Sequence, residues 1–160
     1  MKKFIYLILM LIPALTLVSC HDDGNDLPNV DFNLSFENGV EVDGTIYVVQ
    51  GEVLKITAID VVNNEADKSA MISSANYYWD GYYMGTSIQP PFGYEFDISK
   101  DVPLGKHQID IECPVFAVDK SPATAVVFMY VNIVESASDI PPMADATTTV
   151  HPHISDTAAQ

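Results

Sequence analysis

From Val30 to Ile133 the apolar residues recur with a period of two, and the breaks between runs fall on Gly, Pro, Asn and Asp. Val30, Phe32, Leu34 and Phe36 alternate with Asp31, Asn33 and Ser35, the signature of a strand that buries one face. Asn38-Gly39 and Asp43-Gly44 are turn dipeptides that readily take positive φ. Ile46 to Val49 predicts a short β-branched strand closed at Gln50-Gly51, and Leu54, Ile56 and Ala58 alternate with Lys55 and Thr57. A polar loop is expected from Val61 to Ser69. Ala75, Tyr77 and Trp79 then form one face of a strand that turns at Asp80-Gly81 and returns along Tyr82 to Gly85. Phe92, Tyr94 and Phe96 alternate after Pro90-Pro91; Ile109, Ile111 and Cys113 follow the turn at Asp101 to Gly105; Val127, Met129, Val131 and Ile133 close the series.

No run of ten or more residues in this region carries the helical period. Short strands of this number, parted by Gly, Pro and Asx turns, predict an all-β, antiparallel β-sandwich of about seven strands in residues 30–135. After Glu135 the alternation stops. Residues 136–160 are rich in Ser, Thr, Ala and Pro, with too little apolar area to offset their ordering entropy. They read as a flexible tail with one weak strand at Thr147 to Val150.

The first nineteen residues have a different pattern. Lys2 and Lys3 precede an apolar run from Phe4 to Val18 that only Pro13 and Thr16 interrupt. At about 1.5 Å per residue that run is too short to cross a hydrocarbon core of about 30 Å, and it has the length of a secretory signal. The sequel Leu17-Val18-Ser19-Cys20 resembles the lipobox of bacterial lipoproteins. That resemblance implies cleavage before Cys20 and acylation of its thiol and amino group by palmitate-like chains, a durable membrane anchor. Next comes His21-Asp22-Asp23-Gly24-Asn25-Asp26, similar to the surface-export signal of Bacteroidetes lipoproteins; a plain solvated tether reads equally from the residues. The division expected is a signal peptide over 1–19, a lipidated Cys20 and acidic tether over 20–29, the sandwich, and the tail.

Within the sandwich, several segments together resemble bacterial immunoglobulin-like domains. They are Ala75-Asn76-Tyr77-Tyr78-Trp79-Asp80-Gly81, Met84-Gly85-Thr86, Pro91-Phe92, Tyr94, Asp97 and Leu104-Gly105-Lys106-His107-Gln108-Ile109. The resemblance spans residues 52–134 and implies an immunoglobulin-like sandwich serving as spacer, adhesin or binding module. Pro114 departs from the pattern. It cannot donate to a ladder, so a bulge or an edge position is expected there.

Composition narrows the partners. The chain has 22 acids and seven lysines, with no arginine; loss of Lys2 and Lys3 leaves 22 against 5, a formal charge of −17. Nucleic acid and anionic lipid headgroups both require clustered basic side chains and are excluded as ligands. With Cys20 acylated, Cys113 has no partner for an intramolecular disulfide and reads as a small buried residue. No GxSxG elbow is present, and among 22 acids some carboxylate pair always lies close, so pairs are no signal of glycosidase chemistry. The chain therefore reads as no enzyme, with no cofactor and no metal. The acidic loop Asp60 to Asp67 lacks EF-hand spacing and its glycine, and His151-Pro152-His153 has no fixed third ligand. His107, after a glycine turn, is expected to brace that turn.

Aromatic residues are the remaining signal. Of sixteen Phe, Trp and Tyr residues, eight fall between Tyr77 and Phe96. A two-residue turn at Asp80-Gly81 puts Trp79 opposite Tyr82 and Tyr78 opposite Tyr83. With Tyr77 and Trp79 inward, Tyr78 and Tyr83 point out, either to contact a ligand or simply to stabilise the hairpin. The function expected is a non-catalytic, surface-exposed outer-membrane lipoprotein that binds or adheres to a glycan or an envelope protein. The alternative is a structural or accessory subunit of an outer-membrane assembly, of pilus or polysaccharide-uptake type.

Overall fold

The computed structural model of the protein describes residues 26–65, 68–142, 149–150 and 152–156. The expected signal peptide, Cys20 and the first part of the acidic tether lie outside the described residues. Twelve strands are described: β1 (Val30–Glu37), β2 (Val40–Val42), β3 (Thr45–Val49), β4 (Val53–Asn63), β5 (Ala70–Ile72), β6 (Ala75–Trp79), β7 (Tyr82–Ser87), β8 (Tyr94–Asp97), β9 (Gly105–Ala117), β10 (Ala123–Val134), β11 (Thr149–Val150) and β12 (His153–Asp156). One sheet runs β11-β1-β4-β8. The other runs β2-β3-β10-β9-β6-β7, with β5 beside β9 and β12 beside β10. Consecutive strands cross between the sheets from β1 to β2, β3 to β4, β4 to β5, β7 to β8 and β8 to β9, and again on either side of β11. That order makes an immunoglobulin-like β-sandwich.

Inward positions of both sheets form one core. Phe32, Leu54, Ile56 and Phe96 come from the first sheet, and Tyr77, Ile109, Ile111, Cys113, Val127 and Val131 from the second. Tyr77 stacks on Tyr94 at 4.7 Å between ring centroids, and Trp79 lies 5.7 Å from Phe96. Burial, and then the charge of Glu112, pushes the Cys113 thiol up to about 12, so it behaves as an inert apolar group.

The turns follow their sequences. Asp43-Gly44 and Asp80-Gly81 have positive φ at both positions, the geometry whose twist suits a two-residue hairpin. Other elements differ from the pattern. Ser35 pairs with Ala58 but Phe36 pairs with Ile56, so Thr57 is an extra residue in β4. The bulge reverses the strand's phase, and Ile59 is buried where Ala58 was expected inward. Phe92 is buried but precedes β8, at φ 62°.

Pro114 lies in the β9–β10 ladder opposite Thr124. Its carbonyl accepts the Ser73 amide at 3.3 Å, so its missing N–H faces the step between β5 and β6. There Ile72 pairs with Val115 but Asn76 pairs with Glu112, an extra residue that makes the bulge expected beside a proline. The pairing is not wholly antiparallel. β3 runs parallel to β10, with Ile46 opposite Val131 and Val48 opposite Ile133.

Both ends of the domain are more ordered than composition alone suggests. The Asp26 carbonyl accepts the Ser121 amide and the Asn29 carbonyl accepts the Asn64 amide, so residues 26–29 are docked rather than tethering freely. In the tail, β11 joins β1 and β12 joins β10, with Ile154 opposite Ala125 and packed against the core. A strand edge supplies backbone hydrogen bonds whatever the composition of the segment that takes them.

Gly93 sits where the β8 entry crosses the β4 bulge. A Cβ there would stand 2.7 Å from the Ile56 carbonyl oxygen and 3.3 Å from that of Thr57, both backbone. Gly93→Ala is expected to destabilise the fold by about 1–3 kcal/mol, read as a lower urea midpoint at unchanged slope; an unaltered midpoint would show that the bulge yields freely.

Candidate functional site

The outer faces of the two sheets differ in their aromatic content. On the first, β1 presents Asn33 and Ser35 and β4 presents Lys55 and Asp60; Lys55 pairs with Glu95 of β8 at 2.8 Å. On the second, the even positions of β9 include Gln108, Asp110, Glu112 and Phe116, and those of β10 include Phe128 and Tyr130. β6 contributes Asn76 and Tyr78, and β7 contributes Tyr83 and Thr86.

Strand register sets these side chains in rows. Tyr83 stands opposite Tyr78, Tyr78 opposite Asp110, and Asp110 opposite Phe128. Four neighbouring strands make this row about 14 Å long. Gln108 and Tyr130 form the next row. Tyr83 is 60% exposed, Phe128 50% and Tyr130 54%, so these rings offer flat apolar area to solvent.

Polar partners fix the rings. The Tyr78 and Tyr83 rings meet edge to face at 5.6 Å. Tyr78 Oη donates to Glu112 Oε2 at 2.9 Å. Thr86 Oγ1 donates to Asn76 Oδ1 at 2.6 Å, which commits its single proton. Tyr83 Oη, 2.7 Å from Thr86 Oγ1, is therefore the donor to it. Burial, followed by the bond to Glu112, raises the Tyr78 phenol above its ordinary range. The face holds ordered aromatic planes with carboxylate and amide oxygens between them, a pattern suited to stacking and accepting hydrogen bonds.

The register of Tyr78 and Tyr83 follows from the Asp80-Gly81 turn as the sequence predicts. The pair is unequal, however: Tyr78 is half-buried against Glu112 and Tyr83 is open. Phe128 and Tyr130 were missing from the sequence reading. They lie in the continuous apolar run from Val126 to Val131, where period-two contrast vanishes. The usable signal was their phase, set by inward Val127 and Met129.

His107 braces the top of this sheet. Nδ1 lies 2.7 Å from Asp80 Oδ2, Nε2 lies 2.9 Å from the Pro103 carbonyl oxygen, and the ring tilts over Trp79 at 5.1 Å. Asp80 Oδ1 accepts the Gln108 amide at 2.9 Å, so one carboxylate ties the hairpin to the start of β9. The acidic loop is tied by cations. Glu65 bonds Lys120 and lies 3.1 Å from Lys68; Lys120 first, then Lys68, holds its carboxyl below the usual range. Asp67 and His151 lie outside the described residues, and His153 is exposed on β12. No three His, Cys, Asp or Glu side chains converge among the described residues.

No family model matches the chain, and no curated protein matches it. Among solved structures it is similar to the fibronectin(III)-like modules of Clostridium thermocellum CbhA, at 18% identity and a TM-score of 0.37, over 59% of this chain and 92% of that one. The fold assignment rests on the strand order itself.

Both ring nitrogens of His107 face acceptors, and only the imidazolium can donate to both. Burial lowers its pKa, but the Asp80 bond and the Pro103 carbonyl outweigh that and raise it above 6.5. A raised folded pKa gives stability that is fully present below the unfolded value and lost as pH rises through the folded one. The stability advantage of wild type over His107→Gln should therefore be largest near pH 5.5 and shrink toward pH 8.5 in urea titrations. An advantage that grows with pH would mean the neutral ring is the bound form.

Proposed function

We propose that this chain is a non-catalytic lipoprotein of the cell envelope, held by acylated Cys20 in the outer membrane and exposed at the cell surface. It belongs with bacterial immunoglobulin-like modules and binds a glycan or protein ligand on the outer face of its second sheet. The contrast between the outer faces carries this reading. The first is mostly polar and ion-paired, with Val62 its one large exposed apolar side chain among the described residues. The second spends Tyr83, Phe128 and Tyr130 on exposure, where hydration alone would favour polar residues. Tyrosine offers contact area at low entropy cost, and Asp110 and Glu112 can accept from sugar hydroxyls or backbone amides. The net charge disfavours polyanionic ligands.

An assembly subunit would use an open strand edge. β12 covers the start of β10 within its own chain, the step between Tyr77 and Tyr78 bulges β7 at Met84, and the edge strands β2 and β8 are only three and four residues long, all features that blunt an edge. These features favour the binding reading.

The test is a glycan array and an envelope pull-down with residues 21–160, keeping the tail strand. A retained ligand should lose at least tenfold in affinity with Tyr78→Ala/Tyr83→Ala, and similarly with Phe128→Ala/Tyr130→Ala, while circular dichroism stays unchanged. Binding indifferent to both pairs would move the site off this face.

A further inference from the structure

We propose that Met71, Phe116 and Val118 form a membrane-contact patch that seats the domain on the bilayer holding its acyl chains. This rests on the lipid-anchor reading above. Met71 and Phe116 face each other across the β5–β9 ladder, on the outer side of the second sheet. They are 65% and 43% exposed, and Val118 is 52% exposed. With Ser69, Ala70 and Ala117 they line an apolar groove of about 340 Å³. The Val118 amide donates to the Ser69 carbonyl at 3.3 Å and joins the two loops beside it.

The chain enters the domain at this same end. The Ser121 amide donates to the Asp26 carbonyl at 3.2 Å, and Lys120 Nζ lies 2.8 Å from Asp26 Oδ2. Val118 directly precedes the turn that makes both contacts. From Cys20 to Asp26 the chain can reach at most about 21 Å when fully extended. A domain held that closely must turn this end toward the lipid, and what it turns there is a thioether, a phenyl ring and a valine. Lys120 pairs with Asp26 and Glu65, and Lys68 pairs with Glu65, which offsets two of the carboxylates near the groove and leaves Asp119 exposed beside Val118. Along β9, Phe116 is six residues from Asp110, about 20 Å. Seating the domain by this end therefore keeps the Tyr83–Tyr78–Asp110–Phe128 row above the headgroups.

The full-length acylated protein, reconstituted in phosphatidylethanolamine–phosphatidylglycerol vesicles, tests this. Met71→Cys, Phe116→Cys and Val118→Cys, and Tyr82→Cys at the opposite end, are each labelled with one environment-sensitive dye. Buried Cys113 stays unlabelled. Quenching by a lipid spin-labelled just below the headgroup should be severalfold stronger at the three patch positions than at Tyr82. Equal quenching at both ends, in protein that floats with the vesicles and carries acyl mass on Cys20, overturns the patch and leaves the anchor standing. Patch dyes shielded from aqueous iodide but untouched by the lipid quencher would mark a protein partner or second copy there, and would also overturn it. Protein that neither floats nor carries acyl mass removes the anchor reading and the patch together.

Discussion

The outward aromatic pair of the β6–β7 hairpin depends on a hydroxyl buried in the core. Tyr77 belongs to the second sheet, is fully buried, and donates its O–H to the Phe92 carbonyl at the entrance to the first sheet's edge strand. A phenol in a dry core must place its proton, or folding bears a desolvation cost of about 1–3 kcal/mol. Phe92 meets that demand at φ 62°, a conformation unusual for a bulky residue. Tyr77 also stacks on Tyr94, and the Tyr94 ring occupies space that a Cβ on Gly85 would invade at 2.9 Å. Gly85 comes opposite Tyr77 only because Met84 is bulged out of the hairpin. Tyr94 Oη then donates to the bulged Met84 carbonyl at 2.7 Å. The inward tyrosine thus dictates the register in which the outward pair, Tyr78 and Tyr83, is presented.

This dependence explains how one sheet can expose aromatic residues without losing its fold. The inward phase of β9 and β10, from Ile109 to Val115 and from Ala123 to Ile133, supplies burial enough to fix both strands. A one-residue slip would send that whole set to solvent. The outward phase is therefore less constrained by the core, and its contacts, such as Tyr78 with Glu112 and with the Tyr83 ring, are made along the surface of the sheet. Asp110 lies between Tyr78 and Phe128, and a purely hydrophobic seam for another protein core would exclude a charge there.

Much of this was legible in the chain. Alternation placed most of the long strands, although β4 runs on to Asn63 where a loop was expected from Val61; Asp-Gly dipeptides placed the two hairpin turns, and Pro114 announced a bulge. Three features were not legible, each for a physical reason. Thr57 is extruded from β4 because the β8 entry crosses there, with Gly93 against the Ile56 carbonyl and the Ile59 amide bonded to the Pro91 carbonyl; no local pattern encodes a crossing. The parallel pairing of β3 with β10 joins segments far apart in sequence, and period two is the same for either direction. β12 forms on backbone bonds to an open edge with Ile154 as its apolar anchor, so its composition reads as disorder. On the candidate site, the turn gave away Tyr78 and Tyr83, whereas Phe128 and Tyr130 were hidden in an unbroken apolar run.

Charge placement links the two ends of the molecule. In a chain so acidic, each lysine near a carboxylate cancels repulsion locally, and exposed pairs of this kind add little stability. Their location matters more than their strength. Lys68 and Lys120 gather Glu65 and Asp26 at the end where the chain enters, while at the far end Asp80 is bound by His107 and the Gln108 amide. At one end two of the carboxylates near Phe116 are thus neutralised, and the other end is braced as a hairpin. A braced hairpin holds Tyr78 and Tyr83 in register, and on the proposed membrane seat the lysine pairs would lessen the repulsion that an acidic domain meets. The same few charged contacts therefore brace a turn at one end and lessen carboxylate repulsion at the other, while the core holds the sandwich itself.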